Sequence, residues 1–452
     1  MTRWIVAAAA VVALYLAGIP RNPPGFFIDE ASIAYNALTI AQSGVDEHGE
    51  RFPLFFLAFG EHKNPVYIYT LAAVFVVIGP SILAARLLSA LFGIAAVLVL
   101  GRLAWVQTRD RAATLLTLGL AALTPGLFEL SRLVFEVAAF PLAIALFLLA
   151  ARRAYEARGG PLCLAATLAL VTYTYTAGRI LGPGLALLLA LLLSWRKLVA
   201  AWLLYALALV PLAVWNAKTD GALTSRAGVV VRDGTLIAKN YVANLSPAGL
   251  VLRGDPNARH HVPRSGGPVL IATFLLALAA IVIGRRDRWV QFLLAGTLAS
   301  VLPVAVAVDI GHALRLSGLF VFLIALAIPA MRGRHVMLAA AVLGVLQGAF
   351  FFHAFHTRGA ERVTEFNAGI QGLVFDALDQ RQRPVYLDAG PGAIFAYWFG
   401  ALRGEERTAF ALLQPGVKLP AGAIYIGGAA RRPDSVVIGT HGPFGVHRII
   451  TE

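Results

Sequence analysis

Isolated carboxylates and cations, placed beside aromatic residues at the ends of apolar segments, are the residues of this chain best suited to chemistry. An adjacent acidic pair, Asp29-Glu30, follows the first apolar segment, and another acid, Glu136, opens a later one. Further candidates occupy similar positions elsewhere: His62, Lys63, Tyr67, Arg86, Arg132, Tyr175, Arg179, His312 and Arg315. An unpaired charge in an apolar environment costs several kcal/mol, so residues of this kind are candidates for function.

Gathered on one membrane face, these side chains would suit a transfer between a lipid-borne phosphate and a polar acceptor. Cations such as Lys63 and Arg86 would hold the phosphate and stabilise the charge that it gains as it leaves. A carboxylate such as Asp29 would accept the proton of an attacking hydroxyl or amine within hydrogen-bond reach.

Each candidate also has a purely structural interpretation. Asp29 and Glu30 are a typical helix N-terminal pair that interacts with the helix dipole. Arg86 and Arg315 are placed to extend towards lipid headgroups, and the Tyr/Thr run that contains Tyr175 is typical of an aromatic belt. The functional interpretation depends on all of these residues sharing one side of the membrane.

The composition indicates a protein that crosses a membrane many times. Of 452 residues, 59% are hydrophobic and only 14% are charged, and the mean hydropathy is +0.75. A soluble fold of this size would expose far more charge, so an ordinary cytosolic enzyme and a disordered chain are both excluded. The net charge of +14 is attributed to membrane topology and not to nucleic-acid binding.

Eleven apolar segments are long enough to cross about 30 Å of hydrocarbon. They are 4–20, 83–104, 112–128, 133–151, 161–176, 178–194, 198–215, 268–284, 288–308, 314–331 and 335–352. The first is interpreted as a retained anchor in preference to a signal peptide. A twelfth segment, 65–80, is predicted to be an interfacial helix broken at Gly79-Pro80.

Basic residues orient these segments. Arg3 and five clusters, at 102–111, 152–158, 196–197, 285–288 and 332–334, contain 14 of the 38 Lys and Arg residues but only three acids. Because Lys and Arg concentrate on the cytoplasmic side, the clusters mark inner turns. We therefore expect a multi-pass membrane protein with a cytoplasmic N-terminus and an outer C-terminus. The high Ala and Gly content suggests a bacterial source, so we expect the inner membrane, with the C-terminus and the active site in the periplasm.

Three long outer segments follow from this topology: 21–82, 217–267 and 353–452. We expect a transmembrane domain over 1–352 and a small extracytoplasmic α/β domain over 353–452. In the latter, short β-like runs alternate with Gly/Pro turns at 385–387, 423–426, 435–438 and 446–450.

Several motifs in order resemble the GT-C glycosyltransferases, and in particular the protein O-mannosyltransferase and aminoarabinose transferase group (glycosyltransferase family 39-like). They are the acidic pair Asp29-Glu30, the turn Lys63-Asn64-Pro65, the stretch from Ala85 to Gly93, and the Ser-Arg-x-x-x-Glu turn from Ser131 to Glu136. The resemblance covers roughly residues 20–190 and extends more weakly from Gly311 to Pro329.

The resemblance implies an inverting transfer of a sugar from a polyprenyl-phosphate carrier to an envelope acceptor. It implies that Asp29 activates the acceptor with Glu30 as its companion, that Lys63 and Arg86 lie near the donor phosphate, and that Glu136 fills a second acidic position. Arg179 and Arg315 are added as phosphate partners from topology alone. His62, Tyr67, Arg132, Tyr175 and His312 are further candidates for substrate binding.

Two features depart from the family pattern. Asn64 replaces the first of two prolines common after the lysine, which predicts a looser turn. Glu136 stands where a relative often has Asp, which weakens a metal-bridging role. Mg²⁺ or Mn²⁺ between Asp29 and Glu136 is left open, but we expect no obligatory metal, because a lipid-phosphate donor lacks a pyrophosphate. His260 and His261 alone do not predict a zinc site.

Two other classes of function remain. A lipid-linked glycan transporter or flippase also needs charge within the membrane, but such folds usually show internal repeats and binding groups near the bilayer centre. A nonenzymatic assembly factor is the weakest alternative. The sequence does not identify the sugar that is transferred. The acceptor is also undetermined and could be lipid A, another glycan, a cell-wall polymer or a protein.

Overall fold

The computed structural model describes residues 2–219, 233–307, 310–388, 390, 392–414, 417–428, 435–441 and 444–450. Residues 220–232 of the predicted second outer segment lie outside this part of the chain. The α-helices are α1 (Thr2–Leu16), α2 (Ile28–Ser43), α3 (Pro65–Ile78), α4 (Ile82–Thr108), α5 (Arg111–Leu123), α6 (Pro125–Leu130), α7 (Phe140–Tyr155), α8 (Pro161–Thr174), α9 (Gly178–Leu188), α10 (Trp195–Ala208), α11 (Val210–Lys218), α12 (Gly234–Asn244), α13 (Ile271–Ile283), α14 (Arg288–Ala299), α15 (Leu302–Ala305), α16 (Ser317–Ala327), α17 (Arg334–Arg358), α18 (Ile370–Asp379) and α19 (Ala393–Leu402). The strands are β1 (Phe56–Ala58), β2 (Glu61–Lys63), β3 (Val385–Asp388), β4 (Phe410–Leu413), β5 (Ile424–Gly428), β6 (Ser435–His441) and β7 (Phe444–Ile449).

The chain divides into two compact units. Unit 1 contains residues 1–19, 54–67 and 86–358, and unit 2 contains residues 20–53, 68–85 and 359–452. Unit 2 therefore combines most of the predicted first outer segment with the C-terminal segment. The predicted domain boundary near residue 352 stays a prediction.

Helix starts in unit 1 follow local signals in the sequence. Proline occupies the first position of α6 and α8, where its missing N–H breaks no helical hydrogen bond. Asp110 caps α5 by accepting from the backbone N–H of Ala112 at 2.6 Å, and Asp287 caps α14 in the same way. These caps lie within the basic clusters, so the turns between helices fall where the charge pattern predicts them.

The predicted inner turns meet at one end of unit 1. A cavity of about 390 Å³ is lined by Asp110, Arg152, Asp287 and Arg332, which belong to four of these turns. Four of the five basic clusters thus lie close together in unit 1. Which side of a membrane this end faces remains a proposal.

Helix length separates two classes of apolar segment in the described chain. Five segments are long and apolar enough to cross a membrane: 82–108, 136–155, 195–218, 288–305 and 334–361. The other apolar helices have 10–17 residues. The prediction that the protein is mainly helical is confirmed, whereas the number of eleven spans stays a prediction.

Helix α16 is the centre of unit 1. All of its residues are buried, and it packs against α7, α13 and α14. Small residues allow this close approach: a Cβ on Gly296 would lie 2.1 Å from the ring of Phe322. A helix that is apolar on every side is expected at such a central position.

The segment 65–80 forms α3, which begins at Pro65 and is followed by Gly79 in a left-handed conformation with φ of 82°. Its 14 residues extend about 21 Å at 1.5 Å per residue, less than the hydrocarbon thickness. Val76, Val77 and Ile78 at its end expose more than half of their surface. That this segment lies in the membrane interface stays a prediction.

Unit 2 contains a five-stranded sheet in the order β4-β3-β5-β7-β6. Strand β3 pairs in parallel with β4 and β5, and β7 pairs antiparallel with β5 and β6. The four strands expected from the sequence are present, together with β4, which the sequence analysis did not identify. The small α/β fold expected for the C-terminal segment is confirmed.

Helix α2 packs against α19 within unit 2. The fully buried ring of Trp398 stacks on Phe26 at 6.0 Å and on Phe75 at 5.9 Å. Tyr35 meets Tyr397 at 5.9 Å on the same interface. These aromatic contacts bury apolar surface where α2 and the segment before it meet α19.

Candidate functional site

A short β-hairpin positions the lysine of the predicted phosphate-binding turn. Strands β1 and β2 pair antiparallel with Phe56 opposite Lys63. The two connecting residues, Phe59 and Gly60, have φ of 54° and 75°, as two-residue hairpin turns require. The hairpin places Lys63 in a buried position immediately before Asn64.

Asn64 is the centre of a hydrogen-bond network in unit 1. Its backbone N–H and its side-chain amide donate to the two carboxylate oxygens of Glu136, the latter at 3.2 Å. The amide also donates to Thr176 Oγ1 at 3.1 Å, and Asn64 Oδ1 accepts from the guanidinium of Arg179 at 3.1 Å. The network joins the end of the hairpin, the turn at Glu136 before α7, and the turn between α8 and α9.

This network corrects the expectation of a looser turn at Asn64. A proline at position 64 would have no N–H to donate to Glu136. Asn64 supplies that donor, and its side chain, which is completely buried, adds three further hydrogen bonds. Hydrogen bonds thus hold this turn to Glu136 and to the turn that contains Thr176 and Arg179.

Arg179 is oriented by aromatic rings as well as by Asn64. Its guanidinium carbon lies 4.4 Å from the ring centre of Phe55 and 5.7 Å from that of Trp215. The ring of His62 contacts Trp215 edge-on at 4.9 Å. Cation–π contact and a hydrogen bond together fix a side chain that would otherwise be mobile. His62, Asn64, Glu136 and Arg179 therefore form one cluster, which we call the Asn64 cluster.

Other predicted residues of unit 1 lie in the packed interior. Arg86 is 2% exposed in the second turn of α4, and Tyr67 is fully buried. The Tyr67 hydroxyl shares a hydrogen bond of 2.6 Å with Ser89. Tyr175 is buried against Phe140 at 5.6 Å. Their predicted roles at the substrate stay predictions.

Arg132 binds the end of α1. Its guanidinium donates to the carbonyl oxygens of Leu14 and Ala17 at 3.3 and 2.8 Å and lies 4.3 Å from the ring centre of Phe128. The last carbonyls of a helix lack partners within the helix, and the C-terminal end carries partial negative charge. The geometry gives Arg132 a structural role at this helix end.

The acidic pair lies in unit 2, at the first turn of α2. Glu30 is fully buried, and its carboxylate accepts from the backbone N–H of Phe27 at 2.8 Å, which caps the helix. Asp29 is half-buried. The structural interpretation of the pair therefore describes Glu30 well, and the catalytic assignment rests mainly on Asp29.

Polar residues follow Asp29 along α2 at positions 32 and 36. Both donate to one carboxylate oxygen of Glu47, Ser32 through its hydroxyl and Asn36 through its amide, each at 3.0 Å. Burial raises the pKa of the Glu47 carboxyl, although these hydrogen bonds act in the opposite direction. This contact fixes the loop after α2 to the same helix that positions Asp29.

His261 and Glu129 form a buried ion pair in unit 1 that the sequence analysis did not identify. His261 Nδ1 lies 2.5 Å from Glu129, and Nε2 lies 2.6 Å from the carbonyl of Gly266. Burial alone would lower the pKa of His261, but the Glu129 carboxylate outweighs it and raises this pKa. Two acceptors on one ring favour the doubly protonated form.

Ser265 completes an arrangement that resembles a Ser-His-Glu triad. Its hydroxyl lies 3.2 Å from His261 Nε2 and donates to the Val262 carbonyl at 2.7 Å. Ser265 and His261 are each only 1% exposed, so no substrate carbonyl reaches the hydroxyl. The arrangement is structural.

His312 belongs to a second polar cluster, formed by segments 255–260 and 312–313. Asp255 accepts from the backbone N–H of Ala313 at 2.7 Å and lies 2.9 Å from His260 Nδ1. The rings of His260 and His312 are 4.5 Å apart. Burial, followed by repulsion from His260 and Arg315, lowers the pKa of His312 to about 3.

The sequence carried only a weak signal for this cluster. Asp255 and His260 lie five residues apart, but nothing local relates them to His312, which is more than 50 positions away. Arg315 follows His312 by one turn, and its backbone N–H donates to the His312 carbonyl at 3.0 Å. The cluster thus places Arg315, a predicted phosphate partner, near Asp255 and His260, which were not predicted as site residues.

The residues suggested for a divalent cation were tested against the geometry. Asp29 lies in unit 2 and Glu136 in unit 1. Both carboxylate oxygens of Glu136 accept hydrogen bonds from Asn64, so the carboxylate is held in one position. A divalent cation between Asp29 and Glu136 stays a prediction.

Two cavities of unit 1 lie away from the predicted site residues. One of about 410 Å³ is lined by Trp4, Arg102, Trp105 and neighbouring apolar residues, and the other lies among the predicted inner turns. Neither is lined by a predicted site residue.

Comparisons with known proteins give a likeness in structure only. No family model matches the sequence, and no curated protein matches it. The structure is similar to that of ArnT from Cupriavidus metallidurans bound to undecaprenyl phosphate, with a TM-score of 0.65 and 12% identity over 99% of this chain and 98% of that chain.

ArnT from the same organism in the apo state gives a TM-score of 0.63 with 13% identity over the same shares of both chains. The archaeal oligosaccharyltransferase AglB from Archaeoglobus fulgidus, in complex with an inhibitory peptide and a dolichol-phosphate, gives 0.48 over 87% of this chain and 63% of that chain, with 13% identity. Since the likeness to ArnT extends over nearly the whole of both chains, this protein has the GT-C fold that the sequence motifs implied.

Proposed function

We propose that this protein is an integral-membrane glycosyltransferase that moves a sugar from a polyprenyl-phosphate carrier to an envelope acceptor on the periplasmic side of a bacterial inner membrane. The observation that carries the proposal is the likeness to ArnT bound to undecaprenyl phosphate over 99% of the chain. A fold alone does not determine function, so the proposal also rests on the residues.

The Asn64 cluster supports a role in binding the donor phosphate. Arg179 is held by Asn64 and by the ring of Phe55, with its charge already oriented before a ligand arrives. Lys63 adjoins Asn64 at the end of the same hairpin. Preoriented cations stabilise the charge that a phosphate leaving group develops, at little cost in reorganisation. Arg86 and Arg315 are proposed as further phosphate partners.

Asp29 is proposed as the general base. Its half-buried carboxylate lies at the first turn of a helix whose next residue, Glu30, caps the helix. In a one-step inverting transfer, Asp29 takes the proton from the acceptor hydroxyl or amine as the new glycosidic bond forms. The bond from the sugar to the phosphate breaks, and the polyprenyl phosphate leaves with that electron pair. No metal enters this scheme.

The test uses purified protein in vesicles that contain a labelled undecaprenyl-phosphate sugar. Candidate acceptors come from mass spectrometry of envelope lipids and glycans in cells with and without the protein. We expect label in the acceptor with wild-type protein and with the exposed-loop control Glu50→Gln, and none with Asp29→Asn. Full transfer by Asp29→Asn would refute the base assignment.

The same vesicles address the transporter alternative. A flippase would move the labelled lipid between leaflets without breaking the bond from sugar to phosphate. Movement of intact lipid without transfer to any acceptor would therefore contradict the proposed function, whereas release of undecaprenyl phosphate in step with acceptor labelling would support it.

A further inference from the structure

We propose that Asp255, His260 and His312 form a binding site for one Zn²⁺ ion. Each residue offers one ligand atom, and the three atoms lie within 4.8 Å of one another. Ligand atoms of a tetrahedral zinc ion are roughly 3.3 Å apart, given metal–ligand bonds of about 2.0–2.1 Å. The present separations therefore exceed that spacing by at most about 1.5 Å.

The ligand types favour zinc over magnesium or calcium. Two imidazoles and one carboxylate match the ligand sets of zinc sites that keep a position open. Magnesium and calcium prefer oxygen ligands. The bound ion and the Asp255 carboxylate would together carry a net charge of +1, and the fourth position would be left for water or an anionic oxygen.

Backbone contacts fix the ligands before an ion binds. Asp255 Oδ1 accepts from the N–H of Asn257 at 2.8 Å, and the N–H of His260 donates to the Asn257 carbonyl at 3.0 Å. Both contacts shape one tight turn. The N–H of Ala313 donates to Asp255 Oδ2, which brings His312 to this turn. Preorganised ligands reduce the ordering cost of binding.

The competing interpretation is an ordinary buried His-Asp pair between His260 and Asp255. That pair does not account for His312, whose ring faces His260 at 4.5 Å. Among the described residues, the buried Nδ1 atom of His312 has no hydrogen-bond partner. An imidazole nitrogen withdrawn from water without a partner is costly, and coordination to a metal would provide one.

A zinc ion here would connect two distant parts of unit 1. One ligand pair lies in the segment after the π-helical turn Ala248–Arg253, and His312 lies just before α16. Arg315 is one turn beyond His312, so the ion would also fix the start of the segment that carries this predicted phosphate partner. Zinc binding does not require the proposed transferase activity and is measured without donor or acceptor.

The experiment uses the full-length protein in detergent, loaded with Zn²⁺, passed over a chelating resin and analysed for metal by mass spectrometry. We expect about one Zn²⁺ per chain for wild type and for His353→Gln, a control at an exposed histidine of the same unit. His260→Gln and His312→Gln should retain at least tenfold less. Thermal melting and gel filtration establish that each variant is folded.

Cobalt provides a test that needs no variant. Co²⁺ loaded in place of Zn²⁺ should give the intense visible absorption of a tetrahedral site, and added Zn²⁺ should abolish it. Absence of both zinc and the cobalt spectrum in wild type would overturn the proposal, as would zinc retention by folded His260→Gln and His312→Gln equal to wild type. Failure of sugar transfer would not affect either readout.

Discussion

Glu136 accepts hydrogen bonds from both the backbone N–H and the side-chain amide of Asn64. Glu136 and Asn64 are 72 positions apart in the sequence. This contact uses the longer side chain of Glu136, where relatives often have Asp. It also uses the backbone N–H of Asn64, which a proline at that position would lack. The two departures from the family pattern are therefore parts of a single arrangement, and Arg179 depends on it through Asn64.

Removal of either partner should destabilise the protein. In Glu136→Ala, two donors of the buried Asn64 lose their acceptor, and an unsatisfied buried group costs about 1–3 kcal/mol. We expect Asn64→Ala to cost a similar amount, and the double variant to cost clearly less than the sum because the two changes remove the same contact. Thermal melting in detergent measures these losses, with Glu50→Gln as the surface control. Strictly additive losses would show that the contact contributes little.

Substitution of Arg179 should reduce donor binding and transfer more than stability. Lysine keeps the charge but loses the planar stacking on Phe55 and Trp215 and the directed bond to Asn64. We expect Arg179→Lys to lower the transfer rate by roughly tenfold, and Arg179→Ala by roughly 10²-fold, as for loss of one preoriented donor. The assay is label transfer at several donor concentrations. The exposed inner-turn variant Arg286→Lys should match wild type, and wild-type rates for Arg179→Ala would remove it from the phosphate site.

Asp29 and Glu30 should respond in opposite ways to substitution. Asp29→Asn should abolish transfer and change the melting temperature little, because asparagine keeps the size and shape of the side chain, and the cap at the Phe27 N–H is made by Glu30. Glu30→Ala should lower stability by about 1 kcal/mol through loss of the cap, with transfer falling only in proportion to the folded fraction. Parallel melting and transfer measurements separate the two roles. A large loss of stability in Asp29→Asn would indicate that the structural interpretation applies to Asp29 as well.

The ion pair of His261 and Glu129 should make stability depend on pH. The pKa of His261 is raised in the folded protein, so its contribution is fully present below the unfolded value of about 6.5 and is lost as pH rises through the folded pKa. The difference in melting temperature between wild type and His261→Gln should therefore be largest in mildly acidic buffer and smaller in alkaline buffer. His353→Gln should show no such trend. A difference that grows with pH would contradict a protonated His261.

Sequence patterns were sufficient for features that depend on local signals. Basic clusters located the turns at Asp110 and Asp287, Pro65 and Gly79 bounded α3, and short β-like runs between Gly/Pro turns located four of the strands in unit 2. Strand β4 lies at the edge of the sheet and pairs only with β3. Its apolar segment is short, and the sequence analysis did not identify its four residues as a strand.

The sites could be predicted only where residue type alone carried information. Arg179 was chosen from topology, and the structure places it in the Asn64 cluster, but its role as a phosphate partner stays a prediction. His312 lies 52 positions from His260, Glu129 lies 132 positions from His261, and Asn64 lies 72 positions from Glu136. Contacts at such separation are set by helix packing, which a single sequence does not reveal.

The pairing of α2 with α19 has a consequence for how the protein is made. Residues 44–392 lie between these helices, so Phe26 leaves the ribosome long before Trp398, the ring on which it stacks. Contacts between such distant segments form slowly, because a long loop must close first. The helix that carries Asp29 therefore acquires its packing partner only after nearly the entire chain has been translated. A chain truncated before residue 393 would carry Asp29 on a helix that lacks this partner.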